Sequence, residues 1–407
     1  MKKLIVCIAD GAADIPSLCP EGTPLECAET PALDAMTRHS VAGLCYTIPK
    51  GFSPDSDVGN MSLLGYSPAQ YHNGRAPIEA AALGVSVSPM DTVWRVTFSQ
   101  AENDTITLPC ASSLTKQEGE QLIATLNNSL QDTPFTFVAN STYRHLLIHR
   151  NGQELLTAFR QNSTRPFMTC GPHMLQDTLI SEAHSLYPPE LQVLMEHASQ
   201  ILADHTQKAN TVWLWGEGNA YSLPNFRDTY GSDACIISGV PLLHGLGHMA
   251  GMYIPTHPEF TGLPDTNLSQ KAAAAIDFLQ SPQNTIAFIH VESPDHFGHA
   301  GDAQGKKEAI ERIDAELLTP LLSAMPDAYL TVTCDHLTPA STKSHAHGAV
   351  PFILYHNSLP EQRTVRRFTE NECKKGVHLP TDTLLLKNIL RQMTQATAAN
   401  TGLSQKK

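Results

Sequence analysis

Ten short apolar runs recur along the chain and constrain its fold more than any other feature. They are LIVCIA (4–9), GLCYTI (43–48), TVWRVTF (92–98), FTFVAN (135–140), HLLIH (145–149), TVWLW (211–215), ACIISGV (234–240), TIAFIHV (285–291), AYLTVTC (328–334) and VPFILY (350–355). Most are apolar at nearly every position instead of alternating, the pattern of strands covered on both faces. Helix-like stretches lie between several of them, at 30–38, 57–64, 116–128, 188–205, 240–250 and 303–324. Such alternation predicts an α/β fold, doubly wound around a mostly parallel sheet. The stretch from 104 to 205 is richer in Asn, Gln, Ser and Thr and breaks the pattern. It reads as an inserted, smaller α+β domain serving as a substrate-binding lid. Residues 1–103 and 206–394 then form the core domain, and 395–407 a frayed tail.

Composition narrows what such a fold can do. Lys and Arg number 27 against 40 Asp and Glu, a net charge of −13. Nucleic acids and anionic membranes are gripped by clusters of Lys and Arg, so neither is an expected partner. An anionic small molecule would have to be held by local devices: a metal, a helix N-terminus or a few placed arginines. The nine cysteines are scattered and never spaced C-x-x-C, which suits reduced thiols and a cytoplasmic location. Lys2-Lys3 before LIVCIA superficially resembles a secretory signal. The apolar run is only six residues and ends in Asp10, as a buried first strand would.

The acids and imidazoles sit where parallel strands end. Asp10 follows LIVCIA, and Asp335 and His336 follow LTVTC. Asp295 and His299 come a short turn after TIAFIHV, and His345 lies just before the last strand. Open parallel sheets bind their ligands beyond the carboxyl ends of the strands. Six Asp and His side chains gathered there can coordinate two divalent ions with mixed oxygen and nitrogen donors. Taken singly, Asp10 or Asp335 reads equally as a helix cap; the set reads as a metal centre. In PDSDVGNMSLLGY (54–66), Ser56 leads into an apolar helix. It is either a plain N-cap or, beside a metal, a nucleophile whose phosphoryl adduct would face free backbone N–H groups.

Six separated stretches resemble one family. DGAAD (10–14), ETPALDAM (29–36), PDSDVGNMSLLGY (54–66), GRAPIEAA (74–81), GVPLLHGLGHMAGM (239–252) and HVESPDHFGHAGD (290–302) look like the archaeal-type 2,3-bisphosphoglycerate-independent phosphoglycerate mutases. GKKEAIERID (305–314), TCDHLTPAS (333–341) and KSHAHGAVP (343–351) continue the similarity, and the order of motifs is that of the alkaline phosphatase superfamily. The resemblance implies that one metal is held by Asp295, His299 and His345. It implies that the other is held by Asp10, Ser56, Asp335 and His336, with Ser56 the catalytic nucleophile. His345 matches in preference to His347 because it falls five residues before Val350-Pro351. Arg75 and Arg95 lie in matched stretches and are expected to grip a phosphate or carboxylate. Manganese or zinc is the expected metal, with magnesium and cobalt the other candidates.

The implied reaction interconverts 3- and 2-phosphoglycerate through a phosphoserine. Three departures bear on the substrate. LPCASS (108–113) stands where many members carry an arginine-rich run, His244 replaces a usual lysine, and Gly348-Ala349 replaces Asp-Pro. A phosphatase, or a phosphotransferase such as a homoserine kinase, is therefore the alternative reading.

Overall fold

The computed structural model describes residues 2–19, 21–162 and 177–404. The chain divides into two compact units, Met1–His72 with Leu223–Lys407, and Asn73–Ser222. In chain order the strands are β1 (Leu4–Ala9), β2 (Ser40–Cys45), β3 (Thr92–Glu102), β4 (Thr105–Leu108), β5 (Phe135–Val138) and β6 (Arg144–His149). Then follow β7 (Thr211–Asn219), β8 (Asp233–Ile237), β9 (Asn284–Val291), β10 (Tyr329–Thr333), β11 (Val350–Tyr355) and β12 (Val377–His378).

The first unit is built on a seven-stranded sheet in the order β12-β2-β11-β10-β1-β9-β8. β1 is central and parallel to both neighbours, Leu4 lying opposite Tyr329 of β10 and Ile286 of β9. All six of its residues are buried, which is why LIVCIA is apolar without alternation. β8 is parallel to β9 and β12 to β2, while β11 runs antiparallel to both β10 and β2. Four of the six pairings are therefore parallel, giving the α/β class with a mostly parallel sheet. One consequence positions the site. β1, β2, β9 and β10 all end at a single edge of the sheet, and β11 begins there.

The second unit carries an antiparallel sheet, β4-β3-β6-β5, with β7 paired to the other side of β3. One face of β3 packs Val93 against Ala76 and Ala80 of the helix Arg75–Ala82. The other sets Trp94, Val96 and Phe98 against Leu122 and Leu126 of Lys116–Ser129 and against Leu191 and Met195 of Pro189–His205. β3 and β7, read from the sequence as strands of the core, thus belong to this unit, which spans 73–222 where 104–205 was expected. The physical reason is that two-sided burial yields the same continuous apolar run in an antiparallel sheet as in a parallel one.

The C-terminal segment also differs from expectation. The helix Leu385–Ser404 takes in ten residues of the supposed frayed tail, and 405–407 lie outside the described residues. Ala and Gln in this stretch are good helix formers even without apolar periodicity. Cysteines among the described residues are free thiols, and no helix there is long and apolar enough to cross a membrane.

Candidate metal centre and nucleophile

The edge where the parallel strands end gathers the acids and imidazoles of the first unit. Asp10 comes directly off β1, Asp335 and His336 come off β10, and Asp295 and His299 stand one turn apart on the helix Ser293–Ala300 that follows β9. His345 lies on the chain entering β11. Two glycines permit the close approach. Gly11 has φ +58°, and a Cβ there would lie 2.5 Å from Thr338 Oγ1 and 2.6 Å from Asp295 Oδ1. Gly59 brings the helix Ser56–Leu63 against β10's exit loop, where a Cβ would lie 2.5 Å from the Asp335 carbonyl oxygen.

Ser56 is the first residue of that helix, and the N-cap position belongs to Asp55. The serine therefore projects from the positive end of the helix. Its Oγ lies 3.1 Å from His336 Nε2. Asn60, one turn on, donates to the Ser56 carbonyl at 2.9 Å and to Asp335 Oδ2 at 2.8 Å, locking Ser56 and Asp335 together.

The protons on His336 follow from its neighbours. Asp295 is buried, yet hydrogen bonds with His299 and His345 hold its carboxyl well below the usual range. Ionised, it can only accept, so Thr338 donates its hydroxyl to Oδ1 at 2.6 Å. Thr338 Oγ1 in turn receives the Nδ1–H of His336 at 3.1 Å. Burial depresses the His336 pKa, keeping the ring neutral. Its Nε2 lone pair then faces Ser56 Oγ, Asp10 Oδ1 at 3.4 Å and Asp335 Oδ2 at 3.4 Å. The Ser56 hydroxyl can donate to that lone pair, but ionised oxygens of Asp10 and Asp335 repel it unless a positive charge joins them.

This arrangement fits a divalent cation. Donors about 2.1 Å from a tetrahedrally coordinated ion stand about 3.4 Å apart, which matches the separations around His336 Nε2. Asp10 is wholly buried, and its Oδ1 has no hydrogen-bond partner among the described residues. Burial, then the charges of Asp335, Asp295 and Glu292, push its carboxyl well above the usual range, so the cluster lacks positive charge. A second convergence lies alongside. His299 Nε2 is 3.4 Å from Asp295 Oδ2, His345 Nε2 is 3.5 Å from Asp295 Oδ1, and the two imidazole nitrogens are 2.9 Å apart. Burial lowers the His345 pKa, but hydrogen bonds to Asp295 and Asp55 outweigh it and raise the value to about 10. Protonated, His345 would supply the positive charge that a bound cation would otherwise bring. His347 is exposed and joins no such group among the described residues.

Arg75 and Arg95 lie in the second unit and share one carboxylate. Arg75 Nε donates to Glu79 Oε1 at 3.2 Å, and Arg95 Nε to Glu79 Oε2 at 3.0 Å. The Arg95 guanidinium lies over the Trp215 ring, 3.8 Å from its centroid. Burial lowers its pKa to about 10, so it is charged at neutral pH. Glu79 thus orients both guanidiniums.

Sequence reasoning passed over the residues that orient the others: Asn60, Thr338, Glu79, Asp55 and His290. Each lies within a stretch already singled out, but only proximity in space reveals what it holds.

A sequence model of 2,3-bisphosphoglycerate-independent phosphoglycerate mutase matches residues 37–208. Relatives of that name include one from Methanosarcina acetivorans, 35% identical over 92% of this chain and 96% of its own. One from Geobacter sulfurreducens, named as probable, is 33% identical over 92% and 96%. Among solved structures, a Pyrococcus horikoshii protein superposes with a TM-score of 0.75 at 23% identity, covering 97% of both chains. The cofactor-independent phosphoglycerate mutase of Thermoplasma acidophilum gives 0.59 at 23%, covering 96% of this chain and all of its own. The structural likeness bears on fold alone, and it agrees with the α/β class. Identity of a third or more along nine-tenths of the sequence does more: the chain belongs to the 2,3-bisphosphoglycerate-independent phosphoglycerate mutase family.

Proposed function

We propose that the protein interconverts 3-phosphoglycerate and 2-phosphoglycerate through a phosphoserine at Ser56, with two divalent cations, manganese or zinc. Asp295, His299 and His345 would hold one cation, and Asp10, Ser56, Asp335 and His336 the other. The observation that carries this reading is the convergence of seven side chains at one sheet edge, with Ser56 Oγ 3.1 Å from His336 Nε2. The cations would supply positive charge that eases ionisation of the Ser56 hydroxyl and neutralises the phosphoryl oxygens.

The protein's own residues do the rest. Ser56 Oγ forms a bond to phosphorus in line as the bond to the 3-oxygen breaks, and the proton passes to glycerate. The phosphoryl group then rests at the N-terminus of the helix Ser56–Leu63, where backbone N–H groups favour an anion. Glycerate turns over and takes the phosphoryl back on its 2-oxygen, restoring the serine. Arg75 and Arg95, oriented by Glu79, would bind the substrate's anionic groups.

An enolase-coupled assay on manganese-loaded protein with 3-phosphoglycerate tests the proposal. Formation of 2-phosphoglycerate supports it. Release of inorganic phosphate without 2-phosphoglycerate overturns it in favour of a phosphatase.

A further inference from the structure

We infer that His290 is a positioning residue that reserves one oxygen of Asp10 for a divalent cation while staying outside the coordination shell. The inference rests on the proposed metal set and deepens it. His290 is buried near the end of β9, and the buried Lys271 fixes its backbone by donating to its carbonyl oxygen at 2.9 Å. Its Nε2 lies 3.0 Å from Asp10 Oδ2. Donor atoms of Asp10, His290 and Asp335 all fall within 4.8 Å of one another, so distance alone would also permit His290 as a ligand.

Proton placement decides between the two roles. Ser238, one residue past β8, accepts the Val240 N–H at its Oγ at 3.0 Å and lies 3.3 Å from His290 Nδ1. With the Ser238 hydroxyl donating to Nδ1, the ring's N–H sits on Nε2 and is donated to Asp10 Oδ2. The opposite tautomer would set a bare nitrogen 3.0 Å from an oxygen of Asp10, a repulsive contact once that carboxylate is ionised to hold a cation. A protonated Nε2 cannot coordinate a metal, but it does engage Oδ2 and fix the carboxylate's rotation. Oδ1 is then the oxygen left without a hydrogen-bond partner, and it lies 3.4 Å from His336 Nε2. Outer partners of this kind commonly set metal affinity by about ten- to a hundredfold.

The test is direct titration of the full chain with Mn²⁺, compared among wild type, His290→Leu and His290→Gln. Gln can present an amide N–H near the position of imidazole Nε2, whereas Leu cannot. Wild type should bind two ions. His290→Leu should bind the ion at Asp10, Asp335 and His336 about ten- to a hundredfold more weakly, and His290→Gln should restore most of that loss. Wild-type affinity in His290→Leu, or equal loss in both variants, overturns the inference. A wild-type protein that binds no ion at all overturns the metal reading instead. Should His290→Leu not fold, ¹⁵N NMR of the wild type decides the matter. A protonated Nε2 before and after Zn²⁺ addition supports the positioning role, and loss of that proton on Zn²⁺ addition overturns it.

Discussion

His345 and His347 stand two residues apart, and only the first is placed to share a cation with Asp295 and His299. His345→Ala should therefore cost one bound ion per chain while sparing the site at Asp10, Asp335 and His336; His347→Ala should keep both. Metal analysis of the purified variants checks this, and the reverse pattern would reassign the ligand. Arg95 makes a different prediction, because its guanidinium engages Glu79 and Trp215, both of its own unit. Arg95→Ala should lower kcat/KM by about ten- to a hundredfold, the size of a lost charge-assisted contact of about 1.5–3 kcal/mol. Metal content should not change. Steady-state kinetics beside metal analysis separates these effects, and normal kinetics would make Arg95 a purely structural residue. At this scale Asp10, Asp335 and His336 were legible because each directly follows an apolar run, where a parallel strand must end. Thr338, Asn60 and His290 were not, because their hydrogen bonds to Asp295, Asp335 and Asp10 span 43, 275 and 280 positions and leave no local pattern.

The helix Ser56–Leu63 carries Ser56, the proposed nucleophile, and its approach to β10 depends on Gly59. Gly59→Ala would set a methyl group against backbone, the Asp335 carbonyl, which cannot swing aside as a side chain would. The helix must shift, at a cost of about 1–3 kcal/mol for overpacking. Ser56 should then sit too far from His336 for efficient transfer. Thermal unfolding and kcat together test this: a lowered Tm with kcat reduced by about ten- to a hundredfold is expected, and an unchanged kcat would show that the close approach is dispensable. Most strands and helices were legible from apolar runs and their interruptions. Three features were not. β3 and β7 look like core strands because helices cover both faces of their antiparallel sheet. β12 is two residues long and exposed, with no apolar signal to give. The helix Pro31–Met36 falls within the stretch 30–38 read as helical, but its cap gave no signal: the carboxylate of Asp314, far along the sequence, accepts from the Leu33 N–H at 2.7 Å and the Ala32 N–H at 3.1 Å.

For the molecule as a whole, the acidic cluster ties folding, metal binding and pH together. His345, raised to about 10, contributes stability to the cation-free protein that is fully present below about pH 6.5 and is lost as pH rises through about 10. Cation binding has the opposite sign, since a coordinating imidazole must first give up its proton. Apparent Mn²⁺ affinity should rise between pH 6 and pH 8, with about one proton released by His345 for each chain loaded. Calorimetric titration in buffers of different ionisation enthalpy measures that release, and a pH-independent affinity would contradict it. The central claim is that the phosphoryl group passes through Ser56. Its most direct test is to mix manganese-loaded protein with 3-phosphoglycerate radiolabelled in its phosphoryl group, quench during turnover, and map the label by peptide. The account predicts label on the peptide containing Ser56 together with labelled 2-phosphoglycerate; labelled 2-phosphoglycerate with no label on that peptide would contradict it.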